Sequence, residues 1–181
     1  GRTTAQALKI ACPPLAQLAC YDVVPAHAER YAREMTELGY QVKICANPEE
    51  AVTGADVIVT AGAIERNPKP ALAGAWLKEG VLVVPLDFDS YLRTDAFARA
   101  SALYTDDCAQ FEHFKVMGYF AKLPLVKRDV SHVLTGEDPG RTSQSDVIIS
   151  INLGIGLLDV ALGQELVREA KQRGIGQTLP L

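Results

Sequence analysis

Short apolar runs alternate along this chain with segments of helical spacing, and that rhythm limits the fold more than any other feature. The clearest run is Val81-Leu82-Val83-Val84-Pro85-Leu86. It is continuously apolar instead of alternating, the pattern of a parallel strand covered on both faces. Asp56-Val57-Ile58-Val59-Thr60 and Val147-Ile148-Ile149-Ser150 read the same way. Leu15 to Tyr21, Tyr40 to Cys45 and residues 102–105 are further strands. Helices are expected over residues 2–11, 25–38, 95–100, 107–117, about 125–135 and 155–173, with one or two turns after Asn47-Pro48-Glu49-Glu50 that stop at Gly54. Pro25 suits a first helical turn, where its missing N–H costs nothing, and Gly39 suits a helix stop. Residues 61–73 form a loop, and Trp76-Leu77-Lys78 a short turn.

Regular strand–helix alternation implies an α/β fold: a doubly wound parallel sheet with helices on both faces, Rossmann-like in its ligand geometry. Right-handed crossovers gather the strand-to-helix loops on one edge, and ligands bind outside those carboxyl ends. Asp22, Thr60 and Asp87 fall there. The 181 residues suffice for a core, and 48% hydrophobic with 22% charged excludes a largely disordered chain. A net charge of −4 without a basic cluster argues against nucleic acid as partner. No apolar run approaches the ~18 residues of a membrane span. Cys12, Cys20, Cys45 and Cys108 have no CxxC spacing and are expected as free thiols in a reducing cytoplasm. His27, His113 and His132 have no second ligand at metal spacing, so no metal is expected.

The chain opens on Gly1-Arg2-Thr3-Thr4 and runs straight into a helical segment. An acidic residue, Asp22, follows at the end of the next apolar run, about 20 positions on. That is the back half of a dinucleotide fingerprint. Backbone N–H groups at Gly1 and Arg2 would face phosphate, and Asp22 would accept the ribose hydroxyls. The first strand and earlier glycines of such a motif are absent, so the chain is expected to be the downstream piece of a larger enzyme. Asp22 would repel a 2′-phosphate, and Val23-Val24-Pro25 offers no Arg to receive one, which favours NAD over NADP. The plainer alternative for Asp22 is a cap before Pro25. Arg141-Thr142-Ser143 reads as a solvated loop with local side-chain-to-backbone bonds.

The tail carries the most specific text: Leu134-Thr135-Gly136, Pro139-Gly140-Arg141-Thr142, Asp146-Val147-Ile148-Ile149, then Asn152-Leu153-Gly154-Ile155-Gly156-Leu157-Leu158-Asp159-Val160. Trp76-Leu77-Lys78-Glu79-Gly80, Leu86-Asp87-Phe88-Asp89-Ser90-Tyr91 and Thr105-Asp106-Asp107 with Gln110-Phe111 precede it in order. Together these segments resemble the ornithine cyclodeaminase/mu-crystallin family over essentially the whole chain. The resemblance implies residues 1–150 as an incomplete NAD(P)-binding Rossmann domain. Residues 151–181 would be a C-terminal helix packing towards a lobe built from the N-terminal part of such proteins. That lobe would supply the homodimer contacts and the basic groups that hold the substrate carboxylate. It also implies hydride transfer at the α-carbon of a small amino or imino acid. A cyclodeaminase-type lyase that recycles NAD internally and a non-catalytic mu-crystallin-like binder are the alternatives.

By the same resemblance Thr60, Ala61, Gly62, Leu86 and Asn152 border the cofactor, and Leu153 and Gly154 lie beside the substrate. Asp87 matches the acid/base carboxylate. Its position after four apolar strand residues would raise its pKa by desolvation. Asp89, two residues on, would point the same way in extended backbone and could share the proton or cap the next turn. Many cyclodeaminases have Lys four residues after the Asp, where this chain has Tyr91.

Overall fold

The computed structural model describes residues 1–177 and 179. Its elements are α1 (Arg2–Ala11), β1 (Gln17–Cys20), α2 (Pro25–Glu37), β2 (Gln41–Ile44), α3 (Pro48–Val52), β3 (Val57–Thr60), β4 (Leu82–Pro85), α4 (Thr94–Ala98), β5 (Ala102–Thr105), α5 (Cys108–Val116), α6 (Val130–Thr135), β6 (Ile148–Ile151) and α7 (Gly156–Arg173). Every strand pairing among them is parallel, as the apolar runs require.

The strands form two groups instead of one sheet: β1 with β2, and β3-β4-β6-β5. In the doubly wound order 3-2-1-4-5-6, the second and fourth strands both flank the first. Here β1 and β3 do not pair with each other. The last strand, β6, enters between β4 and β5. Pro85 ends β4, and because proline has no N–H it cannot donate to a neighbouring strand. The paired residues of β4 and β6 are Leu82 with Ile148 and Val83 with Ile149, whereas β5 follows β6 out to Thr105 with Ile151.

Two cores match the two strand groups. The larger collects Val81, Val83, Ile149, Ile151, Phe111 and Phe120 around the four-stranded sheet. The smaller joins Ala5 of α1, Met35 of α2 and Tyr40. In α2 the buried residues are Ala28, Ala32 and Met35, one helical face. The Tyr40 hydroxyl donates to the Ala5 carbonyl at 2.8 Å, which closes that core. In α3, Asn47 accepts from the Glu50 N–H and the Glu50 carboxylate returns to the Ala46 N–H, which ties the helix start to the chain before it.

Most predicted elements are present but one or two residues shorter at their ends. The helix expected over about 125–135 begins only at Val130. Upstream of it the Arg128 carbonyl accepts from the Thr105 N–H, and the Asp129 carboxylate caps the Cys108 N–H. Those bonds hold residues 128–129 extended beside β5. None of the 18 residues of α7 is buried, and Leu157, Leu158, Val160, Leu162, Leu166 and Val167 lie open. No helix among the described residues is long and apolar enough to cross a membrane.

Candidate functional site

Parallel strands place their carboxyl ends on one edge, so Thr60, Leu86, Asp106 and Asn152 all emerge there. Continuing the β4–β6 register sets Leu86 level with Asn152, and the β5–β6 register sets Asp106 on its other side. Gly1 reaches the same edge from α1: the nearest atoms to a Cβ built there are Ala61 Cβ and a Tyr31 ring carbon, both at 3.9 Å.

Asp87 is the centre of the β3–β4 corner. It is fully buried. The Thr60 hydroxyl donates to one carboxylate oxygen at 2.6 Å, and the Gly62 N–H donates to the other at 2.9 Å. Burial pushes its carboxyl above the ordinary range, and these two bonds pull back against that rise. Two further ties join the same loops. Tyr91 OH accepts from the Ala63 N–H at 3.1 Å, and Ser90 Oγ accepts from the Glu65 N–H at 3.0 Å. A Cβ on Gly62 would overlap the Tyr91 hydroxyl and ring, so a side chain there would have to displace Tyr91. Tyr91 thus serves as a wall of the Gly62 loop.

Asp87 and Asp89 do not act as a pair. Phe88 between them has φ +62°, a left-handed conformation that breaks the extended backbone on which a shared direction depends. Asp89 turns instead to the α5–α6 connection and accepts from the Phe120 N–H at 3.0 Å. Burial raises its pKa as well. Phe120 also has positive φ, and its ring lies 5.1 Å from that of Phe88 and 4.7 Å from that of Phe111. Aromatic packing on both sides holds two residues in a conformation that costs on the order of 1–3 kcal/mol each.

The remaining predicted positions differ in their freedom. The Arg2 side chain pairs with Glu34 of α2. Gly1 caps α1 with no side-chain hydrogen bond. Asp22 gives one oxygen to the Val24 N–H at 2.8 Å, a local turn ahead of α2, whose N-cap is Val24. Asn152 Oδ1 accepts from Ser150 Oγ at 3.1 Å. Gly154 has φ +85° and makes the turn into α7. Around Arg141, the Thr142 and Ser143 N–H groups both bond Asp146, so that loop is internally satisfied. Ser90 and the Asp106 grip on Leu153 and Gly154 were not legible as site features. A serine after a strand and an acid before a helix are too common to signal their partners across the edge.

The chain is 36% identical over 130 residues to the nodulation efficiency protein NfeD of Rhizobium meliloti, an alignment covering 71% of this chain and 40% of that protein. It is 27% identical over 170 residues to the iminosuccinate reductase of Paracoccus denitrificans, covering 87% and 50%. The crystal structure of that reductase in complex with NAD+ superposes with a TM-score of 0.77 at 25% identity, over 100% of this chain and 57% of the other. The chain therefore spans about half the length of the relatives it matches. The sequence pattern describing the ornithine cyclodeaminase/mu-crystallin family runs over residues 1–174 without leaving an element of the site outside it, and the chain belongs to that family.

Proposed function

We propose that this chain forms the dinucleotide-binding part of an NAD-dependent enzyme that transfers hydride at the α-carbon of a small amino or imino acid. The observation that carries the reading is the shared carboxyl edge, where the buried Asp87 corner, the Gly1–Ala61 approach and the Asn152–Gly154 turn converge. The NAD+ held by the Paracoccus reductase, with which the fold superposes, supports the cofactor. The residues fit such a group. The first turn of α1 has no side-chain cap, so its N–H groups are open to phosphate oxygens. Asp22 keeps one oxygen beyond its local turn for the ribose hydroxyls. When bound, nicotinamide supplies the hydride chemistry. Asp87 would hold the proton at the reacting nitrogen, its raised pKa fitting a group that must stay protonated for part of a cycle. Asp89 is its rival, since it is half-buried instead of sealed.

Within the same reading the exposed apolar face of α7 packs towards the substrate-holding lobe, the assembly is a homodimer, and the enzyme works in the cytoplasm. The relatives' greater length and the free thiols support this part.

The test uses the whole protein, titrated with NADH and NADPH and assayed with a panel of amino and imino acids. Net formation or loss of NADH supports the oxidoreductase. Ammonia release without net change in NADH would move the protein to the cyclodeaminase class, and binding without turnover to the binder class. Asp87→Asn is expected to lower turnover roughly 10²–10⁴-fold with cofactor affinity retained. If Asp87→Asn keeps near-normal turnover while Asp89→Asn abolishes it, the proton belongs to Asp89.

A further inference from the structure

The turn between β6 and α7 is held from outside by two side chains of the β5–α5 corner. Asp106 Oδ1 accepts from the Leu153 N–H at 3.0 Å, and Oδ2 accepts from the Gly154 N–H at 2.6 Å. Gln110, one helical turn along α5, donates from Nε2 to the Gly154 carbonyl at 3.0 Å. The buried Thr105 hydroxyl donates to Asp106 Oδ1 at 3.3 Å and steadies the carboxylate from behind. Three bonds therefore fix three successive peptide units of a turn that Gly154 carries through positive φ.

The residue before this grip is Asn152. Its Oδ1 is taken by Ser150 Oγ, which sets the orientation of the side-chain amide. Its Nδ2 has no partner among the described residues, so the amide presents a donor at the carboxyl edge. We propose that Asp106 and Gln110 are positioning residues, which lock the 152–154 turn so that Asn152 offers its amide N–H to an acceptor oxygen at the nicotinamide end of the cofactor. This rests on the dinucleotide reading above. A carboxylate anchored on a separate strand end is a rigid support, and such support preorganises a donor better than a free loop does.

The probes are NADH and ADP-ribose, which lacks the nicotinamide, titrated into the whole protein. Asp106→Ala is expected to weaken NADH roughly tenfold, the scale of a lost charge-assisted grip. ADP-ribose affinity should stay unchanged, a split that general loosening of the fold would not give. Asp106→Asn retains one accepting oxygen and should fall between the two. Gln110→Ala, which leaves the carboxylate in place, should show a smaller loss of the same selectivity. If the grip acts through Asn152, the double variant Asp106→Ala/Asn152→Ala is no weaker for NADH than Asn152→Ala alone. Hydrogen exchange at the Leu153 and Gly154 amides should accelerate in Asp106→Ala without a matching change in β4. Equal weakening of NADH and ADP-ribose, full additivity, or unchanged exchange would each overturn the proposal. Failure of the unmodified protein to bind either probe would instead overturn the cofactor reading on which it stands.

Discussion

Individual side chains make the sharpest expectations. Burial, a hydrogen bond to Asp129 and the nearby acids push the Cys108 thiol up to about 12, and burial also raises Cys20 and Cys45. Cys12 is exposed. Iodoacetamide at neutral pH should therefore label Cys12 first and Cys108 last, because the thiolate is the reacting form; mass spectrometry showing early labelling of Cys108 would contradict the geometry. The buried Asp87 gives a pH test. Its folded pKa is raised, so the fold prefers the neutral carboxyl. That preference is fully present below the unfolded value of about 3.9 and is lost as pH rises through the folded value. Relative to Asp87→Asn, the unmodified protein should thus lose stability on going from acid towards neutral pH. Denaturant unfolding at several pH values reads this, and parallel profiles for the two proteins would count against it. At Gly62, alanine should displace Tyr91 and break the Ala63 bond, at a cost of typically 1–3 kcal/mol for such overpacking. Tyr91→Ala in the same chain should relieve most of the clash, and calorimetry on the single and double variants would show whether it does.

Elements differ in what they owe to burial. Ile149 in β6 is fully buried, and Ile149→Ala should cost about 2–5 kcal/mol. Leu162 in α7 is exposed, and Leu162→Ala in this 181-residue chain should stay within about 0.5 kcal/mol; chemical denaturation compares the two directly. A large loss at Leu162 would mean that α7 is already covered. The same contrast explains what could be read from residues alone. Strands announced themselves because a run such as Val81 to Leu86 has no amphipathic alternative, and Pro25, Gly39 and Asn47 marked helix ends through backbone chemistry. The 125–129 segment misled because its extended form depends on Thr105 and Cys108, more than twenty residues upstream. Asp87 was legible by its place after an apolar run. Its sealing by Thr60 and Gly62 was not, since both bonds cross from another strand end. The parting of Asp87 and Asp89 hangs on one dihedral at Phe88, set by aromatic contacts distant in sequence.

For the molecule as a whole, the division of the strands into two groups is the governing fact. The β1–β2 pair leans on a core of Ala5, Met35 and Tyr40, whereas β3, β4, β5 and β6 share the much larger one. Local stability should follow the apolar contact each group buries. Native-state hydrogen exchange is expected to release β1 and β2 amides at lower free energy than those of β4 and β6. Uniform protection across all six strands would show a single cooperative unit. The same division leaves β1 and β3 each with one side that has no strand partner among the described residues. Such an edge offers a ready row of peptide groups to any passing copy, and Val57-Ile58-Val59-Thr60 carries no charge to turn a copy away. In a concentrated solution of this 181-residue chain, association through that edge is then expected to grow with concentration.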